Sequence, residues 1–256
     1  MSDLRRMVRR QLAERDSSVE SFSRALKAFL QTELKRLTRE VEGREISAID
    51  AARILGDLRE NLAQAGLGDV LAEVERMYAS ELNHLDESLS RYGRGVAIFT
   101  GADVEVVQTL ARYDIEQIAD DIDITVDELR SYAVRQALSN QKVVLSDVID
   151  DLSDRAARHS ATIENTALSG YYRAITVGKA DELGLDLFVY FGPDDDVTRP
   201  FCETRVNQVF TREEIDSWDN EQGLDVWIYG GGYNCRHQIL PISLEDAQKL
   251  YGYQGS

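Results

Sequence analysis

Residues 230–243 run GGGYNCRHQILPIS. Three glycines lead into a cysteine and a histidine two residues apart, and an apolar run containing a proline follows. The run is short and glycine precedes it, so the spacing predicts a tight turn entering a buried strand. Upstream, LDLFVYF at 185–191 is brief, aromatic and bounded by Gly184 and Pro193, which predicts a second buried strand. DVWIY at 225–229 predicts a third, and TREEIDSW at 211–218 a short helix with Thr211 as its cap. The glycines resemble a phosphate cradle only superficially, because a strand rather than a helix N-terminus follows them.

Before Gly184 the period is different. All three prolines (Pro193, Pro200 and Pro241) lie after it, so glycines alone punctuate the earlier chain. Phe22, Leu26, Leu30, Leu34, Leu37 and Val41 form one helical stripe that Gly43 ends. Ser47 or Asp50 opens a second helix through Ile54, Leu58 and Leu62, closed by Gly66. A third carries Leu71, Val74, Tyr78, Leu82, Leu85, Leu89 and Tyr92 and stops at Gly93. RGVAIFTGAD at 94–103 breaks the pattern, and Asp103 opens a helix with Val107, Leu110, Ile115, Ile118 and Ile122. ITVDEL at 124–129 reads as a fresh start, with Thr125 and Glu128 as a capping box. Residues 146–183 predict another long helix, kinked near Ser169 and Gly170. The expected fold is therefore a mainly α N-terminal region of long helices, 1–150, followed by a small α+β C-terminal module, 151–256.

Composition narrows the functional classes. The net charge is −17, yet residues 1–40 hold ten Lys+Arg against six Asp+Glu, so the front is positive and the remainder strongly acidic. An acidic body repels nucleic acid. Only the front, with Arg5, Arg6, Arg9 and Arg10, offers an electrostatic arm for DNA or an acidic partner. No apolar run approaches the ~20 residues that span a bilayer, and no apolar leader is visible, so no membrane partner is expected. Two cysteines make no disulfide framework, which points to a reducing compartment.

The common enzymatic templates fail: there is no G-x-x-x-x-G-K-S/T, G-x-G-x-x-G after a strand, H-E-x-x-H or G-x-S-x-G. Cys202, Cys235 and His237 supply sulfur and nitrogen donors suited to zinc; a structural zinc site takes four, and the acidic run Asp194, Asp195 and Asp196 could lend an oxygen. Read on their own, the cysteines favour buried packing thiols over ligands. The acidic run 194–196 with Thr198 and Arg199 reads as a turn rather than an acid–base cluster. His237 with Arg236, Arg205 and Glu203 would suit a metal-free nuclease only if a second acid or base were fixed nearby. His84 and His159 lie in helical stretches as surface or packing groups. Tyr171, Tyr172, Trp218 and Trp227 read as core anchors.

Residues 162–210, TIENTALSGYYRAITVGKADELGLDLFVYFGPDDDVTRPFCETRVNQVF, followed after a spacer by GGGYNCRHQILPI, resemble the phage Mu F-like family of minor head and head-morphogenesis proteins. The likeness is carried by Thr162, Ile163, Asn165 and Thr166, then Gly184 and Tyr190. It continues through Asp195, Thr198, Arg199 and Cys202, and ends with Asn234, Cys235, Arg236, His237 and Pro241. It covers about a third of the chain. Relatives place further cysteines where Arg205 and His237 stand here, so the resemblance implies either a zinc knuckle on Cys202, Cys235 and His237 or a hydrogen-bonded remnant of one. It also implies a non-enzymatic protein that binds the portal protein and the major capsid protein. Such a protein assembles in the host cytoplasm, as several copies in a ring, and stays in the virion near the portal. A nuclease or toxin-like module, and a head–tail adaptor or ejected internal protein, are the alternatives.

Overall fold

QILPI does form a strand, one residue shorter than the expected HQILPI, and the sheet it joins organises the C-terminal part of the chain. The computed structural model describes residues 3–90, 92 and 99–254. β1 (Leu187–Phe191) lies at the centre of a three-stranded antiparallel sheet, between β2 (Val209–Thr211) and β3 (Gln238–Ile242). Four of the five β1 residues are buried, so both faces are covered and the hydrophobic alternation of a half-exposed strand is absent. Pro241 pairs opposite Phe188 in β3, an edge strand, where a missing N–H is tolerated.

The helical expectation holds among the described residues of the N-terminal region, with changes in detail. The long helices are α1 (Asp3–Leu37), α4 (Leu67–Leu89), α5 (Gly101–Leu138) and α6 (Ser146–Leu183). Between α1 and α4 the single expected helix is two, α2 (Ala48–Ile54) and α3 (Leu58–Gln64). The break falls at Gly56, a poor helix former, and Leu55 and Leu58 on either side of it are both buried. Ser47, not Asp50, caps α2 by accepting from the Asp50 amide.

Thr100 and Asp103 exchange bonds at the start of α5, so Thr100 rather than Asp103 is the cap. The helix runs straight through ITVDEL, which overturns the expected restart at Thr125. Its buried face is Val107, Ala111, Asp114, Ile118, Ile122, Val126 and Leu129, an unbroken stripe that packing holds helical. Leu110 lies off that face and is exposed. α6 is continuous across Ser169 and Gly170; a Cβ on Gly170 would come 3.3 Å from Ile228, so the glycine serves close packing, not a helix break. The stop at Gly93 and the stretch 94–98 lie outside the described residues. No described helix is long and apolar enough to cross a membrane.

Two compact units emerge. One comprises Ser18–Arg76 and Thr109–Ile163. In it α1 and α6 run antiparallel, laced by Ser23 to the Ala157 carbonyl (3.0 Å), Lys27 to Asp154 (2.6 Å), and Gln31 and Lys35 to Asp150 (2.9 and 2.7 Å). Glu42 accepts from the Leu145 amide and the Ser146 hydroxyl, fixing the start of α6.

The other unit comprises Met1–Ser17, Met77–Gln108 and Glu164–Ser256, and contains the sheet. Four short helices complete it: α7 (Pro200–Glu203), α8 (Arg212–Asp216), α9 (Val226–Tyr229) and α10 (Leu244–Tyr251). α8 has the capping box expected from Thr211. α9 corrects the strand expected at DVWIY. Asp225 accepts from the Trp227 amide and starts a single helical turn, which Gly230 ends at φ 54°, and the outer strand position is taken by VFT instead. Phe188, Tyr190, Cys202, Ile215, Val226, Cys235 and Ile239 form the core of this part, with Trp218 and Trp227 packed against it. Tyr171 and Tyr172 are buried, as expected of core anchors.

Candidate metal centre

The site is assembled from three separate elements. Cys202 lies on α7, whose first turn is opened by Pro200 at a position where a missing N–H costs nothing. Tyr190 comes from the central strand β1. Cys235 and His237 come from the turn immediately before β3, rather than from the strand itself. Cys202, Cys235 and His237 are each at most 3% exposed, and their donor atoms all lie within 4.8 Å of one another. This group can hold a metal ion.

The two sulfurs are 3.8 Å apart and Cys235 Sγ is 3.7 Å from His237 Nδ1. A tetrahedral centre with bonds of about 2.3 Å to sulfur and 2.0–2.1 Å to nitrogen spaces those pairs by about 3.8 and 3.6 Å. His237 Nε2 sits 2.8 Å from the Pro193 carbonyl oxygen, which can only accept, so the ring proton is on Nε2. In the neutral imidazole Nδ1 then offers its lone pair toward Cys235. An outer hydrogen bond of this kind is what orients a histidine for metal ligation. Stacking of the ring on Tyr190, with centroids 5.2 Å apart, fixes its plane.

The backbone closes tightly around the donors. A Cβ on Gly231 would lie 2.4 Å from Cys202 Sγ, and one on Gly192 would lie 2.5 Å from the His237 ring. Glycine at these two places is what lets the turn and the end of β1 reach the site. Gly231 N–H donates to Cys235 Sγ (3.3 Å), and Tyr190 Oη lies 3.3 Å from Cys202 Sγ and 3.5 Å from Cys235 Sγ. The shared bond between the thiols drives their acidities apart. Cys235 is lowered because it accepts from Cys202, with the Arg173 charge adding to the effect. Cys202 is raised by the same bond and by burial.

Arg173 of α6 is the component that sequence reading missed. It is 1% exposed, and its guanidinium donates to the carbonyls of Ile228 (2.7 Å), His237 (2.6 Å) and Cys235 (3.3 Å). It thereby clamps both ends of the turn. A lone charge in the apolar stretch SGYYRAI was its only trace in the sequence.

The remaining expected site residues form a clasp around the same turn. Asp195 accepts from Arg236 (2.6 Å), and Thr198 bonds back to Asp195. The bond from Arg236 holds the Asp195 carboxyl down at about 2. Arg199 donates to the carbonyls of Tyr233 (2.6 Å) and Gly231 (3.4 Å). Asn234, in the left-handed region at φ 57°, accepts from Thr166 of α6 at 3.5 Å. Glu203 is exposed and Arg205 stacks on Phe201 and Trp218. A cavity of about 500 Å³ beside the turn is lined by Arg199, Phe201, Arg205, Asn220 and Gly231 among others, but by none of the sulfur or imidazole donors.

The four N-terminal arginines stand apart from this site. Arg5 lies over the Tyr251 ring (4.3 Å) and bonds to its hydroxyl, and Arg10 pairs with Glu87 and Glu14, while Arg6 and Arg9 are exposed. His84 pairs with Glu14 and His159 with Asp121.

Comparison with family models, curated proteins and solved structures returns no match for the chain.

Proposed function

We propose that this chain is a minor head protein of a tailed phage, acting by binding rather than catalysis. One observation carries the reading: residues spread from 166 to 237 meet around a single turn and bond to one another. Asp195 with Arg236, Arg199 with the turn carbonyls and Thr166 with Asn234 are exposed bonds that clasp the turn, and its Cys/His group is buried. The order of these residues is also what carries the resemblance to Mu F-like proteins. His237 is 3% exposed with its Nε2 proton committed to Pro193, which suits a scaffold better than a general base.

In this reading the partners are the portal protein and the major capsid protein. The chain joins them in the host cytoplasm as several copies in a ring and remains inside the capsid near the portal. In this reading the N-terminal segment with Arg5, Arg6, Arg9 and Arg10 is the arm that contacts DNA or an acidic portal surface. The metal is zinc, because two sulfurs and an imidazole match its preferences. Fractionation of an infected lysate, with mass spectrometry of procapsids, mature particles and soluble protein, tests the role. Recovery in particles at a low, portal-like copy number is expected. Recovery only in the soluble fraction overturns it.

A further inference from the structure

Three donors leave a structural zinc centre one short, and the interior around them supplies a fourth. We propose that Tyr190 Oη completes the centre as its fourth ligand, with Arg173 as the buried counter-charge; this rests on the reading of Cys202, Cys235 and His237 as a zinc site.

The first argument is geometric. A tetrahedral zinc with bonds of about 2.3 Å to sulfur and 2.0–2.2 Å to oxygen places an oxygen donor about 3.5 Å from each sulfur. Tyr190 Oη lies 3.3 and 3.5 Å from the two sulfurs, the spacing expected of an oxygen ligand beside both. Tyr190 is 1% exposed, and the turn glycines press against the same atoms: a Cβ on Gly230 would come 3.0 Å from Cys235 Sγ and 3.4 Å from Tyr190 Oη. A closed site of this kind takes its fourth ligand from the protein.

The second argument is charge. Arg173 is buried and bonds only to carbonyl oxygens; among the described residues no carboxylate pairs with it. A buried cation without a counter-ion is costly. Two thiolates on a divalent ion sum to zero and leave Arg173 uncompensated. Two thiolates and a phenolate sum to minus one, which Arg173 balances. On binding, the phenolic proton leaves to solvent as the zinc–oxygen bond forms.

The test is zinc titration of the full-length, metal-stripped chain under reducing conditions, for the wild type and Tyr190→Phe. Binding is followed by thiolate-to-metal absorption and by the near-ultraviolet absorption of tyrosinate. The expected result is one zinc per chain with a tyrosinate band in the wild type. In Tyr190→Phe the tyrosinate band is absent and binding is at least about tenfold weaker. Affinity alone does not discriminate, because loss of an outer hydrogen bond to a ligand also weakens binding about 10–100-fold. Zinc bound by the wild type with thiolate absorption but no tyrosinate band overturns the role of Tyr190 and leaves the zinc centre standing. Absence of zinc binding by the wild type overturns both. The wild-type spectrum decides the matter even if Tyr190→Phe folds poorly.

Discussion

Glu81 on α4 is 2% exposed and accepts from Gln11 of α1 at 2.6 Å. Burial raises its carboxyl from 4.5 to about 7, against the attraction of Arg15 and the Gln11 bond and with small repulsions from Asp16 and Glu14. The native state therefore holds a proton that the unfolded chain has lost between about pH 4.5 and 7. This stabilisation is full below the unfolded value and disappears as pH rises through 7. It amounts to roughly 3 kcal/mol at 1.36 kcal/mol per unit. Glu81→Gln keeps the shape and removes the charge. Thermal melts at pH 5 and pH 8 should show the wild type losing stability at the higher pH and the variant losing less. An identical pH response in both would show that Glu81 does not titrate in this window. Sequence reading placed neither Glu81 nor Arg173 at these sites, because a polar residue on a helix reads as solvated until its neighbours are known.

At the scale of elements, the chain contains the pattern T-x-x-E at 125–128 and again at 211–214, and only the second is used as a helix start. Thr211 accepts from the Glu214 amide, and Glu214 Oε2 accepts from the Thr211 amide at 2.7 Å. Thr211→Ala should cost about 1 kcal/mol, a fall in Tm of roughly 2–4 °C for a chain of this size. Thr211→Ser should recover most of that loss. Thr125 lies inside α5 on its buried face, so its neighbours carry the helix past a local start signal. DVWIY shows the converse: its composition suits a strand, but Asp225 and Gly230 frame one helical turn, and the sheet edge went to the weaker-looking VFT. Long stripes were legible because many residues repeat one period. Segments of three to five residues were not, because a few tenths of a kcal/mol per residue of propensity yields to whichever partner is available.

For the molecule as a whole, a metal held by Cys202, Cys235 and His237 would be linked to folding, because the donors come from segments that only the fold brings together. A ligand a hundredfold above its dissociation constant adds about 2.7 kcal/mol to the folded state. Adding zinc to stripped protein should therefore raise Tm by roughly 5–10 °C, and His237→Ala should abolish the rise. An unchanged Tm in the wild type would show that the buried thiols serve packing alone. The sequence by itself determined the helical body, the shift to α+β after Gly184, and the three metal-donor candidates, since periodicity, glycine punctuation and donor chemistry are local properties. Only the tertiary structure decided that those donors meet, that Tyr190 faces both sulfurs, and that Arg173 lies buried behind the turn. The reason is that proximity between residues far apart in the chain is fixed by how helices and strands pack, and no local pattern encodes it.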